Sequence, residues 1–314
     1  MRRPSRARTS GSTSAPDASQ RRPETSQLEI SSICSSSGGI DDRRNVDDMS
    51  RTHVITGAGS GIGAAAAALL TERGDRVIGV DLKGADITAD LSKPEGRADA
   101  AAAVIEASGG RIDAVIAAAG ISAPVPLTVA VNFFGVTEFL DALAPTLAKA
   151  DAPRIAVVSS MASLQPNSTA LVAALLAGDE AKALEIGGAL ADQGPETGYL
   201  NYPSSKRALS RWVRRESIAP RYAGAGIPVN AVAPGTVVTP MTAPLLATEE
   251  GRAMVDAAVP MPLNGHSDAV VIAGLLAWLT SEENTHVTGQ TIYIDGGADA
   301  TLRGDDIWSW ADPS

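Results

Sequence analysis

From residue 51 onward, short runs of aliphatic and β-branched residues alternate with longer amphipathic or Ala-rich runs, and no other feature constrains the fold as much. The short runs are 52–56, 76–81, 112–118, 154–159, 229–233 and 291–295. Stretches with helical composition separate them, at 62–73, 95–107, 129–150, 202–223 and 268–281. Near-continuous apolar strands divided by helices predict a parallel sheet buried on both faces. With right-handed crossovers the expected fold class is α/β, a single doubly wound parallel sheet (a Rossmann fold) with helices on both faces. Its ligands would sit at the carboxyl ends of the strands. No internal repeat or second linker interrupts this pattern, so residues 49–314 are read as one domain.

Composition removes several alternatives. Hydrophobic residues make up 44% and charged residues 20%, enough for a packed core. A formal charge of −10 argues against a nucleic-acid partner, whose phosphates need a basic surface. The lone Cys34 excludes an internal disulfide framework and a Cys-rich zinc site. His53, His266 and His286 stand far apart, which speaks against a His-based metal centre. No apolar run is read as reaching the roughly 20 residues of a spanning helix. The expectation is a soluble, cytoplasmic protein with no membrane partner. Residues 1–48 are rich in Ser, Arg, Thr and Asp without usable periodicity, and are expected to be a disordered extension. The Arg- and Ser-rich start superficially resembles a transit peptide. Because Met49 directly precedes the first strand, the preferred reading is an extension outside the fold.

The first strand runs into Thr56-Gly-Ala-Gly-Ser-Gly-Ile-Gly63, followed by alanines that must be helical. Gly57, Gly61 and Gly63 allow a tight turn and let a pyrophosphate approach a helix N-terminus, where N–H groups and the helix dipole favour an anion. No Gly-Lys-Ser/Thr follows, so a phosphate-loop NTPase is disfavoured. The second strand ends at Asp81, 18 positions after Gly63. A carboxylate there accepts ribose hydroxyls and repels a 2′-phosphate, which argues for NAD over NADP. Lys83 is the one nearby positive charge.

Tyr202 and Lys206 stand four apart, on one helical face. A phenol is a poor base at neutral pH, and a neighbouring ammonium is expected to lower its pKa into the range of proton-transfer catalysis.

In order, these features resemble the short-chain dehydrogenase/reductase family over about residues 50–300. The resemblance is carried by the 56–63 loop, Asp81, Asp90-Leu91, Ala117-Ala-Ala-Gly120, Asn132, Ser159-Ser-Met-Ala-Ser163, Tyr202/Lys206, Pro234-Gly235 and Asp295-Gly-Gly297. Within the family the chain is most similar to the bacterial 3α-hydroxysteroid dehydrogenase/carbonyl reductase group. The resemblance implies a catalytic tetrad of Asn132, Ser160, Tyr202 and Lys206. Tyr202 would exchange a proton with the substrate oxygen as hydride passes to or from the nicotinamide. Ser160 would hydrogen-bond that oxygen, Lys206 would tune the phenol and hold the nicotinamide ribose, and Asn132 would support a water leading towards Lys206. It also implies an NAD site built from Gly57, Ser60, Gly61, Ile62, Gly63, Asp81, Leu82, Asp90, Leu91, Ala118, Ala119 and Gly120. Tyr202, Lys206, Pro234, Gly235, Val237 and Thr239 complete that site.

Two departures stand out. Alanines occupy 117 and 118 where the family commonly carries asparagines, removing a side-chain brace of the sheet. About 40 residues separate Ser160 from Tyr202, where many members have about a dozen. The insert, 164–198, follows the fifth strand and reads as two short helices broken near Gly178, either covering the substrate pocket, altering subunit packing, or elaborating the surface. A further irregular segment, 236–265, contains Met241, Leu245, Leu246, Met254, Val259, Met261 and Leu263. It is expected to form a mobile lid over a small hydrophobic alcohol or ketone, steroid-like or aromatic. The leading expectation is thus an NAD-dependent oxidoreductase. An epimerase or dehydratase that recycles NAD, and an NAD-sensing protein without turnover, are the alternatives. The resemblance implies a homodimer or homotetramer, with Trp212 available to an interface.

Overall fold

The structure is a computed structural model and describes residues 50–308. The expectation of disorder over 1–48 lies outside the described residues. Seven parallel strands form the main sheet: β1 (Thr52–Thr56), β2 (Arg76–Asp81), β3 (Ile87–Thr88), β4 (Ala114–Ala117), β5 (Arg154–Val158), β6 (Val229–Pro234) and β7 (Thr291–Ile294). Their order is β3-β2-β1-β4-β5-β6-β7. The chain reverses its direction of winding between β3 and β4, so a crevice opens beyond the carboxyl ends of β1 and β4. The expected Rossmann fold is what the structure shows, with β3 the strand too short to be read from its own residues.

Helices cover both faces. Those used below are α1 (Gly61–Glu72), α2 (Pro94–Ser108), α3 (Gly135–Leu147), α4 (Thr169–Ala177), α5 (Glu180–Ala191), α6 (Asn201–Glu216), α7 (Glu249–Ala258) and α8 (Ala269–Leu279). One core layer packs Val54, Val115, Ile155 and Val229 against Phe139, Leu143 and Leu209; the other packs Ile55, Ile116 and Val232 against Leu70 and Leu276. Alternate residues of each strand therefore serve opposite layers, as the pleat requires. The expected helix 202–223 stops at Glu216, before Pro220.

Against the expectation that no apolar run reaches spanning length, the continuous helical run Leu127–Leu147 is long and apolar enough by composition to cross a membrane. It is 72% buried over its apolar window, so it is a core helix here. Its polar side chains have internal partners: Glu138 pairs with Arg97, and Asp141 accepts from the Tyr222 hydroxyl at 2.8 Å.

The insert forms two helices broken at Gly178, as expected. It is no loose elaboration. Leu171, Val172, Leu175 and Ala183 are buried in the core layer that contains Leu209 and Trp212 of α6. None of its residues lines the cavity described below. Trp212 is itself buried, with its ring edge-on to Tyr222 at 5.9 Å. The expectation that Trp212 is available to a subunit interface is therefore corrected: the sequence shows an apolar residue on a helix, and only packing decides what covers it.

Candidate active site

The glycine turn after β1 leads into α1. A Cβ on Gly63 would stand 2.1 Å from the Gly57 carbonyl oxygen, and one on Gly57 would stand 2.8 Å from the Ala119 nitrogen. The turn thus closes against the β4 end with no room for a side chain at Gly57 or Gly63. Ser60 at the head of α1 makes no side-chain cap, and the first turn holds no acidic residue. Its N–H groups are therefore left to an anion.

At the end of β2, Asp81 accepts from the Gly59 N–H at 2.9 Å through Oδ2 and from the Leu82 N–H at 2.6 Å through Oδ1. These contacts hold the carboxylate beside the glycine turn while leaving lone pairs for hydroxyl donors. At the β4 end, Thr56 supplies a brace that the alanines at 117 and 118 lack. Its hydroxyl accepts from the Ala119 N–H at 3.1 Å, and its carbonyl from the Ala118 N–H at 3.2 Å.

Asn132 lies in a π-helical turn, Ala130–Phe134, that precedes α3. Such wide turns reposition a side chain within a helix; nothing in the residue types announces this one. Asn132 is fully buried, accepting from the Ile121 N–H at 2.9 Å and donating to the Ile121 carbonyl at 3.0 Å and the Ser205 hydroxyl at 3.2 Å. A Cβ on Gly120 would stand 3.1 Å from Asn132 Oδ1 and 3.4 Å from Lys206 Nζ, so one point in space is within reach of both.

Of the two serines after β5, Ser159 turns to α6, where its hydroxyl donates to the Lys206 carbonyl at 3.1 Å and meets the Ser210 hydroxyl at 2.8 Å. Ser160 heads the following 3-10 turn, its Oγ accepting from the Ala162 N–H at 3.1 Å. Lys206 Nζ donates to the Val158 carbonyl at 2.8 Å and stands 5.9 Å from the centre of the Tyr202 ring.

The Tyr202 shift runs in the direction opposite to the one expected. Burial pushes its phenol up, with hydrogen bonding from Ser160 pulling back, and Lys206 is not among the causes. Burial also lowers Lys206, from 10.5 to about 8. Desolvation of both groups outweighs their mutual attraction because the ammonium is directed at a carbonyl rather than at the phenol oxygen. Folding thus disfavours the charged lysine, a penalty present in full below about pH 8 and relieved as pH rises from 8 towards 10.5. Lys206→Met lacks this titration. Its melting temperature should therefore fall relative to wild type as pH rises from 8 to 10; a pH-independent difference would show a hydrated ammonium.

One cavity of about 590 Å³ joins these parts. Gly57, Ser60, Gly61, Ile62, Gly63, Asp81, Leu82, Asp90, Leu91, Ala118, Ala119, Gly120, Ser160, Tyr202, Lys206, Pro234, Gly235, Val237 and Thr239 all line it. Asn132 is the one expected site residue behind its wall. Sequence reasoning missed Ile121, Leu127, Val131 and Thr242, apolar or turn residues with no signature of their own. Among the seven large apolar residues expected in the lid, Met241 reaches the lining. Met254 is 70% exposed on α7, and Met261 sits under Gly235, its sulfur 3.2 Å from the Thr236 nitrogen. The segment is pinned where Val237–Val238 pairs with Ser267–Asp268. No cluster of His, Cys, Asp or Glu able to hold a metal occurs among the described residues. The glycine turn, the uncapped helix and the strand-end carboxylate fit a dinucleotide.

Comparison with known proteins shows what the chain is similar to. A family profile described as enoyl-(acyl carrier protein) reductase matches residues 57–299. The 3α-hydroxysteroid dehydrogenase/carbonyl reductase of Comamonas testosteroni is 36% identical over 255 residues, 80% of this chain and 97% of that protein. A 3-oxoacyl-acyl-carrier-protein reductase of Vibrio cholerae is 30% identical, over 78% of this chain and 95% of its own. The structure of a 3α-hydroxysteroid dehydrogenase from Pseudomonas sp. B-0831, complexed with NADH, superposes with a TM-score of 0.74. It is 38% identical and covers 81% of this chain and 99% of its own.

Proposed function

This chain belongs to the short-chain dehydrogenase/reductase family, and from that premise we propose that it is an NAD-dependent enzyme interconverting a secondary alcohol and a ketone on a hydrophobic skeleton. It is an oxidoreductase acting on hydroxyl or carbonyl groups with a nicotinamide dinucleotide, and is similar to hydroxysteroid dehydrogenases. The observation carrying the finer reading is the shared cavity: Tyr202, Ser160 and Lys206 line the same space as the glycine turn and Asp81. When bound, the dinucleotide supplies the hydride acceptor or donor.

The chain's own residues do the rest. Burial keeps the Tyr202 phenol protonated, ready to donate to a developing alkoxide when a ketone is reduced. In the oxidative direction the phenol first releases its own proton by way of Lys206, and the phenolate oxygen then receives the alcohol proton, so one proton leaves for each alcohol oxidised. The Ser160 hydroxyl donates to the reacting oxygen, stabilising charge where it develops. Lys206 holds the ribose, and Asn132, within reach of the same point beside Gly120, supports a water leading protons towards Lys206. Asp81 binds the adenine ribose hydroxyls and repels a 2′-phosphate. Met241 and Leu127 give the substrate end an apolar wall, consistent with the hydroxysteroid substrates in the names of the relatives. A cytoplasmic location and a homo-oligomeric assembly complete the proposal.

A screen of hydrophobic secondary alcohols and ketones, followed by NADH absorbance, tests the reading. Net cofactor turnover with steroid-like or aromatic substrates is expected. Conversion with no net NADH change would favour the epimerase or dehydratase alternative, and turnover of sugars or acyl-thioesters alone would remove the hydrophobic substrate. Asp81→Ala should lower the preference for NAD over NADP by roughly 10- to 100-fold, the worth of a charge-assisted hydrogen bond. An unchanged preference would take Asp81 out of this role.

A further inference from the structure

The cofactor cavity is bordered, beyond β3, by Asp90, Leu91 and Ser92. The segment is not part of the sheet; Asp90 caps it internally, accepting from the Ser92 hydroxyl at 2.6 Å and the Ser92 N–H at 3.1 Å. Its outer side rests on a single guanidinium. Arg97, on α2 and 2% exposed, donates from Nε to the Leu91 carbonyl at 2.9 Å and from Nη2 to the Ser92 carbonyl at 2.9 Å.

The remaining three N–H groups go elsewhere. Nη1 donates to Glu138 of α3 at 2.9 Å and to Oε2 of Glu180 at 2.9 Å, and Nη2 donates to Oε1 of Glu180 at 2.6 Å. All five donors of the guanidinium are therefore used. Its face lies 5.7 Å from the centre of the Phe134 ring, in the π-helical turn that carries Asn132. Glu180 is the first residue of α5 and so belongs to the insert.

We infer that Arg97 is a positioning residue for the adenine end of the dinucleotide, and that Glu180, gripping both arms of its guanidinium, couples the insert to cofactor binding. The inference rests on the dinucleotide reading above. A buried guanidinium keeps a fixed place only while its charge and donors are met. Glu180 meets it in the bidentate geometry that orients the fork. Without Glu180, two donors are orphaned on the side away from the cavity. Arg97 then turns towards water there, and the Leu91 and Ser92 carbonyls lose their donors. The adenine wall loosens while Tyr202 and Ser160, on other elements, stay in place.

The test measures binding of ADP-ribose and of NADH by titration calorimetry, alongside steady-state kinetics. Glu180→Ala should weaken both ligands by the same factor, about tenfold, the scale of coupling through a shared element. KM for NADH should rise in step, with kcat at saturating cofactor within about twofold of wild type. Arg97→Lys, which keeps the charge and loses the fork, should weaken ADP-ribose likewise; Glu180→Ala carries the test if that variant does not fold. ADP-ribose binding to Glu180→Ala as tightly as to wild type would overturn the coupling, as would a loss for NADH alone. Wild-type protein that bound neither ligand would instead overturn the dinucleotide reading itself.

Discussion

Tyr202→Phe is expected to reduce turnover by roughly 10²–10⁴-fold, the usual contribution of a positioned general acid or base, while leaving NADH binding nearly intact. The substitution deletes one oxygen and keeps the ring, which packs near Tyr199 at 6.0 Å between ring centres. Ser160 and Lys206 keep their own hydrogen bonds, to the Ala162 N–H and the Val158 carbonyl, so the site should not collapse. Steady-state kinetics together with NADH fluorescence titration checks both halves. Turnover surviving at the wild-type level would show that another group handles the proton. Loss of binding together with turnover would show that the hydroxyl is structural.

Gly63→Ala should abolish dinucleotide binding, weakening it by more than about 100-fold. A methyl group at this position would stand 2.1 Å from the Gly57 carbonyl oxygen and 2.6 Å from its carbon, and both are backbone atoms of the turn itself. Overpacking of this kind costs roughly 1–3 kcal/mol or more, and the strain falls on the N–H groups meant for the pyrophosphate. Calorimetric titration with NADH measures the loss, and circular dichroism checks that the sheet survives. A variant binding NADH as tightly as wild type would mean that the turn does not carry the phosphates.

Much of this was readable in the chain. The strand positions of β1 and β2 were legible to the residue, because the glycine turn follows β1 directly and the charged residues Arg76 and Asp81 bound the aliphatic run of β2. β3, two residues long, carries too few side chains for a period to register. Gly57, Gly61 and Gly63 were legible because backbone geometry excludes other residues there, and Tyr202 with Lys206 because i, i+4 spacing brings them to one face. Ser160 could be told from Ser159 by its place in the resemblance, and the hydrogen bonds of Ser159 to α6 supply the physical reason.

Local order along the chain thus determined the α/β alternation, the phosphate turn, the strand-end carboxylate and the phenol–ammonium pair, since each depends on neighbours within a few residues. Tertiary structure alone decided that burial raises the Tyr202 phenol, that Trp212 is covered, and that Arg97 joins the Leu91 and Ser92 carbonyls to Glu180. Desolvation and ion pairing depend on which distant segments close around a group, and periodicity holds no record of that.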